Sequence, residues 1–296
     1  MLVLLAVVLD RLLGEPNRWH PLVGFGCYAQ GLDKALNHPE HQFIKGTGAW
    51  FLTVLPFCLL AFFLDRLPHA GLLDILVLYW AIAYRSLQEH IEAIYQPLIN
   101  GDLKAARQNL SYIVSRDTGE ADELAVRRGA IESALENGSD AVFAPIFWWL
   151  VAGIPGVMLY RLANTLDAMW GYRTPRYKQF GCFAARVDDV LNFIPARLVA
   201  LSYAVLGNVK QGLKCWREQA SSCASPNAGV VMCAGAGALS VTLGGRNCYH
   251  GEWIEKPLMG AGTEPSNNDV VAAQSLLRHT LVLWCSVAFV LSWLIA

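Results

Sequence analysis

Long apolar runs alternate with polar helical stretches along this chain. Residues 47–64, TGAWFLTVLPFCLLAFFL, are almost wholly apolar and long enough to cross a bilayer as one helix. A short link from Asp65 to Gly71, containing Pro68, separates them from a second apolar run that passes into SLQEHIEAIYQPL. A second span is therefore expected near 72–95, forming a helical hairpin with the first, and a third at 279–296. The runs at 1–13, 141–163 and 190–207 are apolar as well. Pro145, Gly153, Pro155 and Gly156 interrupt the second of these, and Pro195 and Arg197 the third. They are expected to be membrane-embedded or re-entrant, because irregular backbone is tolerated at membrane depth only against protein or a wet cavity.

The polar stretch 98–140 reads as helical and carries Lys104, Arg107, Arg116, Arg127 and Arg128. Basic segments stay cytoplasmic. A second basic stretch, with Arg173, Arg176, Lys178 and Arg186, follows residue 163, and two cytoplasmic loops cannot flank a single crossing. Residues 208–278 are Gly-rich and polar, with no evident strand alternation. The pattern predicts an all-α, multi-pass membrane protein with broken or re-entrant helices and a cytoplasmic-facing polar helical layer. It is expected to form a single integral membrane domain over 1–296.

Composition agrees. Of 296 residues, 54% are hydrophobic and 16% charged, against about a quarter charged in ordinary soluble domains. The ten Trp and ten Tyr suit a bilayer interface. A net charge of -1 leaves no electrostatic footprint for nucleic acid. The eight Cys form no CxxC pair and no zinc-spaced set with His, so they read as reduced thiols of a cytosol-facing protein. The opening MLVLLAVVLDRLLGEP lacks a basic leader and a small-residue cleavage site, and is expected to be retained structure.

Candidate chemistry begins at Arg128–Trp149, RGAIESALENGSDAVFAPIFWW. Arg128, Glu132, Glu136 and Asp140 recur every four residues, which on a helix is one line along one face. Carboxylates so aligned at the edge of an apolar segment need a cation among them. The plain alternative is a solvated face with Arg128 pairing Glu132. Ser115-Arg116-Asp117-Thr118 offers a guanidinium for phosphate or carboxylate and oxygens for Mg²⁺, or else a helix cap with a surface ion pair. Asn164 and Asp167 are three residues apart, and Asp188 and Asn192 four, with Arg186, Asp189 and Arg197 close in sequence. Such oxygen-rich sets suit a hard cation bridging phosphates. Asn227, in SPNAG, opens a region of small residues including Gly244 and Gly245, whose backbone N–H groups are candidates to cradle phosphate or whose size serves close packing. No P-loop or dinucleotide fingerprint occurs. His20 follows a charge-interrupted helix that Pro16 is expected to end. It is a candidate base or ligand, though a lone His is more often structural, as for His90 and His250.

Taken in order, DRLLGEP with HPLVGFG, SRDT, AIESALENGSDAVFAPIFW, YRLANTLDAMWGYR with YKQFG, AARVDDVLNFIPARL, and SPNAG with LGGRNCYHG resemble the adenosylcobinamide-phosphate synthase family, CobD/CbiB, of cobalamin biosynthesis. The blocks run from residue 10 to residue 251. The family more often has Asp at Glu15, and Thr or Ser at Gly138. The resemblance implies a multi-pass enzyme of the bacterial inner membrane, its active site facing the cytoplasm. It implies a ligase that joins the propionate of adenosylcobyric acid to (R)-1-aminopropan-2-ol phosphate, driven by ATP with Mg²⁺. Other membrane enzymes of the late cobalamin pathway are expected partners, beside the lipid bilayer itself.

On this reading Asp117, Glu132, Glu136, Asp140 and Asp189 are expected to be catalytic, with Glu132 or Glu136 the general base. Ser115, Arg116, His20, Asn137, Asn164, Arg186, Arg197, Asn227, Gly244 and Gly245 would bind substrate or phosphate. Asp117, Asp140, Asp167, Asp188 and Asp189 would hold the metal. Two other classes compete: a non-enzymatic AmpE-like membrane signalling protein, whose charged blocks would be eroded, and an anion transporter, for which no inverted repeat is apparent.

Overall fold

The computed structural model describes residues 1–15, 20–67, 70–249 and 251–295. Pro16, Pro68 and His250 lie outside the described residues. Of the described residues, 75% are helical. Its elements are α1 (Leu2–Leu13), α2 (Pro21–Leu36), α3 (Gln42–Leu64), α4 (Ala70–Ala81), α5 (Tyr84–Ile99), α6 (Leu103–Ser111), α7 (Glu123–Gly138), α8 (Ala144–Trp170), α9 (Cys182–Leu206), α10 (Val209–Gln219), α11 (Ala228–Leu239), strands β1 (Thr242–Tyr249) and β2 (Glu252–Gly260), and α12 (Asn267–Ile295). Two compact units share the chain. Unit one holds residues 1–83, 144–192 and 288–296, and unit two holds 84–143 and 193–287.

Among the described residues, four helical runs are long and apolar enough to cross a membrane: Gln42–Leu64, the continuous run Glu123–Trp170, Cys182–Leu206 and Asn267–Leu294. Their outer surfaces are apolar too. On α3, Phe51, Leu52, Leu55, Leu60 and Phe63 are exposed, and on α12, Val282, Phe289, Val290 and Trp293. So much contiguous apolar surface is costly in water and fits a lipid solvent. The chain is thus an all-α, multi-pass membrane protein. The helix expected over 72–95 is instead two, α4 and α5, parting at Ile82 and Ala83. The apolar α4, of 12 residues, is short of the roughly 20 needed to span. The amphipathic α5 buries Leu87, Ile91, Ile94 and Leu98 at helical spacing in unit two.

Unit one is built on Phe25, Trp50, Val54, Tyr160, Leu166, Trp170 and Phe180, drawn from α2, α3, α8 and the segment before α9. Trp170 and Phe180 meet edge to face at 5.1 Å. The interruption read at 141–163 is real: α8 breaks at Ala152 and Gly153, and Gly153 adopts φ 58, ψ -147. Only glycine takes that conformation without strain. Pro155, two residues on, has no N–H for the carbonyl of Val151. A Cβ at Gly153 would also lie 3.0 Å from the Asp65 carboxylate. Gly153→Val is therefore expected to destabilise the protein by about 1–3 kcal/mol, read as a lower midpoint in thermal unfolding of detergent-solubilised protein. An unchanged midpoint would show that the break is not held in place.

Three helices of unit two start with side-chain caps. Asp102 accepts from the Ala105 N–H, Asp122 from Ala125 and Asn208 from Gln211, at 2.7–3.1 Å. Regular α geometry ends at Gly138, and Ser139–Phe143 form a π turn. The cause is Pro145, which offers no N–H to the Ala141 carbonyl and needs room beside it. Phe143 packs there on Trp284 and Tyr203, with ring centroids 5.4 and 6.3 Å apart.

The strandless reading of 208–278 is corrected by the antiparallel hairpin β1–β2, paired from Thr242↔Gly260 to Tyr249↔Glu252. Gly244, Gly245 and Pro257 erase the alternation that would have announced it, and a bulge between Leu243 and Gly245 breaks its register.

Candidate functional site

In unit two, the ladder of α7 meets the hairpin. Glu132, 5% exposed, accepts at Oε2 from Arg116 Nη1 at 2.9 Å and at Oε1 from the Gly244 N–H at 2.8 Å. Both glycines of the bulge have φ near 80°, at 82° and 81°. That left-handed backbone aims the Gly244 N–H into α7. A Cβ at Gly245 would stand 2.8 Å from Arg128 Nη1. Arg128 reaches the Gly244 carbonyl at 3.5 Å and Glu264 at 3.7 Å, so it does not pair Glu132.

Arg116 is not a surface cap either. Its side chain is buried against Gly129, and its Nη2 has no hydrogen-bond partner among the described residues. Asp117, beside it, is exposed. It accepts from the Gly251 N–H at 2.9 Å, while its own N–H donates to the Cys248 carbonyl at 2.9 Å. Thr118 donates to the Arg107 carbonyl, and Ser115 is exposed.

One turn beyond Glu132, Glu136 is half-buried and its carboxylate makes no hydrogen bond among the described residues, while the charges of Lys256 and Arg116 favour it and that of Glu132 opposes it. Asn137 donates to Ser133 Oγ at 2.7 Å. Asp140 lies in the π turn, near the Tyr203 hydroxyl. Arg197 donates from Nη1 to Asn227 Oδ1 at 2.8 Å and covers the Phe193 ring at 3.5 Å. These contacts explain how an Arg is carried in an apolar helix.

A second constellation stands in unit one. Asp188, 8% exposed, accepts from Asn164 Nδ2 on one oxygen and from Asn192 Nδ2 on the other, each at 3.1 Å. Tyr160 donates to Asn192 Oδ1 at 2.9 Å and fixes that amide's orientation. The Asp167 carboxylate makes no hydrogen bond among the described residues. Asp188 and Asp189 are close enough to act on its charge, and the Arg173 charge acts on Asp189. Gly171 gives Asp167 its space, since a Cβ there would sit 1.9 Å from Oδ1.

His20 serves as the N-cap of α2, its Nδ1 accepting from the Leu22 N–H at 3.2 Å. Burial pushes its pKa down, against the opposing charge of Glu15 and with help from Arg161. Arg161 also acts on Asp188 and approaches Asn164 Oδ1 at 3.5 Å, so it links the N-terminal motif to this cluster. Arg186 is exposed.

Several positions went unassigned from sequence. Tyr160 and Arg161 lie one helical turn before Asn164, a spacing that could have marked them. Lys256, Arg246 and Trp253 sit on the hairpin. Arg246 covers the Trp253 ring at 4.4 Å, and both line a shallow cleft with Arg116, Asp117, Thr118 and Asn247. Among the described residues no three His, Cys, Asp or Glu side chains are grouped to hold a metal ion.

The model of the CobD/Cbib protein family matches residues 3–277. Similar curated proteins share the name Cobalamin biosynthesis protein CobD. The Chromobacterium violaceum protein is 50% identical over 98% of this chain and 96% of its own length. The Stutzerimonas stutzeri protein is 51% identical over 98% and 97%, and the Brucella suis protein 37% identical over 94% and 92%. No solved structure matches significantly. The match along almost the whole sequence, in the order of the six motif blocks, makes this chain a member of the CobD/Cbib family.

Proposed function

We propose that this protein is the adenosylcobinamide-phosphate synthase of cobalamin biosynthesis, an acid–amine ligase of the bacterial inner membrane working on the cytoplasmic side. Family membership supports the pathway. The observation that carries the ligase reading is Glu136, a half-buried carboxylate with no hydrogen bond among the described residues, one turn from the buried Arg116–Glu132 pair and within reach of the Lys256 charge. Such a group is suited to take a proton.

A propionate does not condense with an amine unaided. In the proposed route its oxygen attacks the γ-phosphorus of ATP, the bridging P–O bond breaks, and ADP leaves. The amine nitrogen of (R)-1-aminopropan-2-ol phosphate then attacks the acyl carbon, phosphate departs, and Glu136 accepts the ammonium proton. Glu132 is assigned a positioning role, since both its oxygens are engaged. Arg197, Asn227 and Arg246 are assigned to phosphate or carboxylate groups of the substrates.

In unit one, Asp167 and Asp189 offer oxygen donors of the hardness Mg²⁺ prefers, and Asn164 and Asn192 hold Asp188 in place beside them. Mg²⁺ usually takes only one or two carboxylates, with phosphate and water oxygens completing its shell, so three protein ligands are not required. Bound there, Mg²⁺ would neutralise charge on a nucleotide's phosphate groups.

Purified protein supplied with adenosylcobyric acid, the amino-alcohol phosphate, ATP and Mg²⁺ is expected to yield adenosylcobinamide phosphate by mass spectrometry. Label from an oxygen-labelled propionate should appear in the released phosphate. Product without that label would reject the acyl-phosphate route. Solute flux in proteoliposomes with no amide product would favour a transporter.

A further inference from the structure

Two thiols of unit two lie side by side. Cys223 Sγ stands 3.9 Å from Cys233 Sγ. Cys223 follows the short turn Ala220–Ser222 and is partly exposed, whereas Cys233 is fully buried within α11. Gly229 permits the approach. It lies one turn ahead of Cys233 on the same face, and a Cβ there would fall 2.5 Å from Cys223 Cβ. The segment between the thiols carries Ser225, whose Oγ accepts from the Ala228 N–H, and Asn227, which accepts from Arg197. No zinc-type ligand set surrounds the pair, since no group of three His, Cys, Asp or Glu is found among the described residues.

We propose that Cys223 and Cys233 are a modification site for hydroperoxides, with Cys223 oxidised first and Cys233 resolving it into an intrachain disulfide. The Cys223 thiolate attacks one peroxide oxygen, the O–O bond breaks, and hydroxide leaves a sulfenic acid on Cys223. The Cys233 sulfur then displaces that hydroxyl as water, forming the S–S bond. The sum is two thiols and one hydrogen peroxide giving one disulfide and two waters. Closure asks the sulfurs to move from 3.9 Å to about 2.05 Å, within reach of side-chain rotation.

The division of labour follows the surroundings. A hydrogen bond with Cys233 holds the Cys223 thiol down at about 7, against burial, with the Lys256 charge assisting and Glu132 and Glu136 opposing. The same hydrogen bond, together with burial and the Cys223 and Cys215 sulfurs, pushes Cys233 well up. The reactive thiolate is thus the partly exposed sulfur, as an oxidant-sensing cysteine requires. Oxidation would tie down the turn that presents Asn227 to Arg197.

Trypsin gives a decisive readout, because cleavage after Arg217 and Arg246 leaves both thiols in one peptide that holds no other cysteine. Full-length protein in detergent is treated with limiting hydrogen peroxide, alkylated with iodoacetamide and digested. The peptide Glu218–Arg246 is expected to lose both alkyl groups and two hydrogens, while exposed Cys27 keeps its label. Dithiothreitol should restore both alkylations. In Cys233→Ser, dimedone should trap a sulfenic acid on Cys223. Two alkyl groups retained after peroxide, oxidation of Cys223 beyond sulfenic acid without a crosslink in wild type, or equal oxidation of Cys27 would each overturn the proposal. No outcome depends on the ligase assay.

Discussion

Glu136→Gln is expected to lower the ligation rate by about 10²–10⁴-fold, the usual worth of a positioned general base. The loss should fall on kcat, because the amide keeps the volume and polarity of the side chain while removing its basicity. The variant should fold. Glu136 makes no hydrogen bond among the described residues that the substitution could break, and neutralising a half-buried carboxylate removes a desolvation cost. Its thermal midpoint in detergent should equal or exceed that of the wild type. Wild-type turnover in this variant would take Glu136 out of the reaction and leave the amine proton to another acceptor.

The largest effect on stability is expected one turn away. Glu132→Gln leaves the Arg116 guanidinium charged, with side-chain exposure of 5%, and without its counter-ion. Breaking a buried pair from one side costs about 3–5 kcal/mol. Arg116→Met should cost a similar amount by stranding Glu132. The double variant Arg116→Met/Glu132→Leu should recover most of this. Its remaining loss would be about 1–3 kcal/mol, because the Gly244 N–H loses its acceptor. The check is a double-mutant cycle on unfolding midpoints. Additive single and double effects would mean that the two side chains do not interact.

Much of this architecture was legible in the chain because lipid imposes a simple rule. Residues 47–64 fall inside α3 and residues 279–294 inside α12, since a long apolar helix satisfies all its own backbone groups in hydrocarbon. The interruption in 141–163 was legible because Pro155 and Gly153 act locally. The division at Ile82 and Ala83 was not, as nothing in that apolar stretch marks a boundary and the change lies in which face must be buried. The hairpin escaped because its glycines remove the alternation that strands usually carry.

At the candidate site, spacing identified Asp188 with Asn192 and the regular line from Arg128 to Glu136. It could not show that Glu132 pairs with Arg116, 16 residues earlier, rather than with Arg128 one turn away. Long-range partners depend on packing, and a four-residue rule sees only neighbours. Lys256 was missed for the same reason, since its relation to Glu136 exists only once the hairpin has folded against the helices of unit two.

The hairpin β1–β2 has little claim to persist alone, for two strands bury too little surface to hold together in water. Its order is borrowed. Asp117 grips its tip at Gly251, Glu132 grips the bulge at Gly244, and Gln219 grips its base through both the N–H and the carbonyl of Gly260. The ribbon is a splint lashed along its length to the rest of unit two. The stacked Arg246 and Trp253 therefore inherit their rigidity from residues as far away in the sequence as Asp117, and slackening any one lashing would blur the position of all the side chains the ribbon carries.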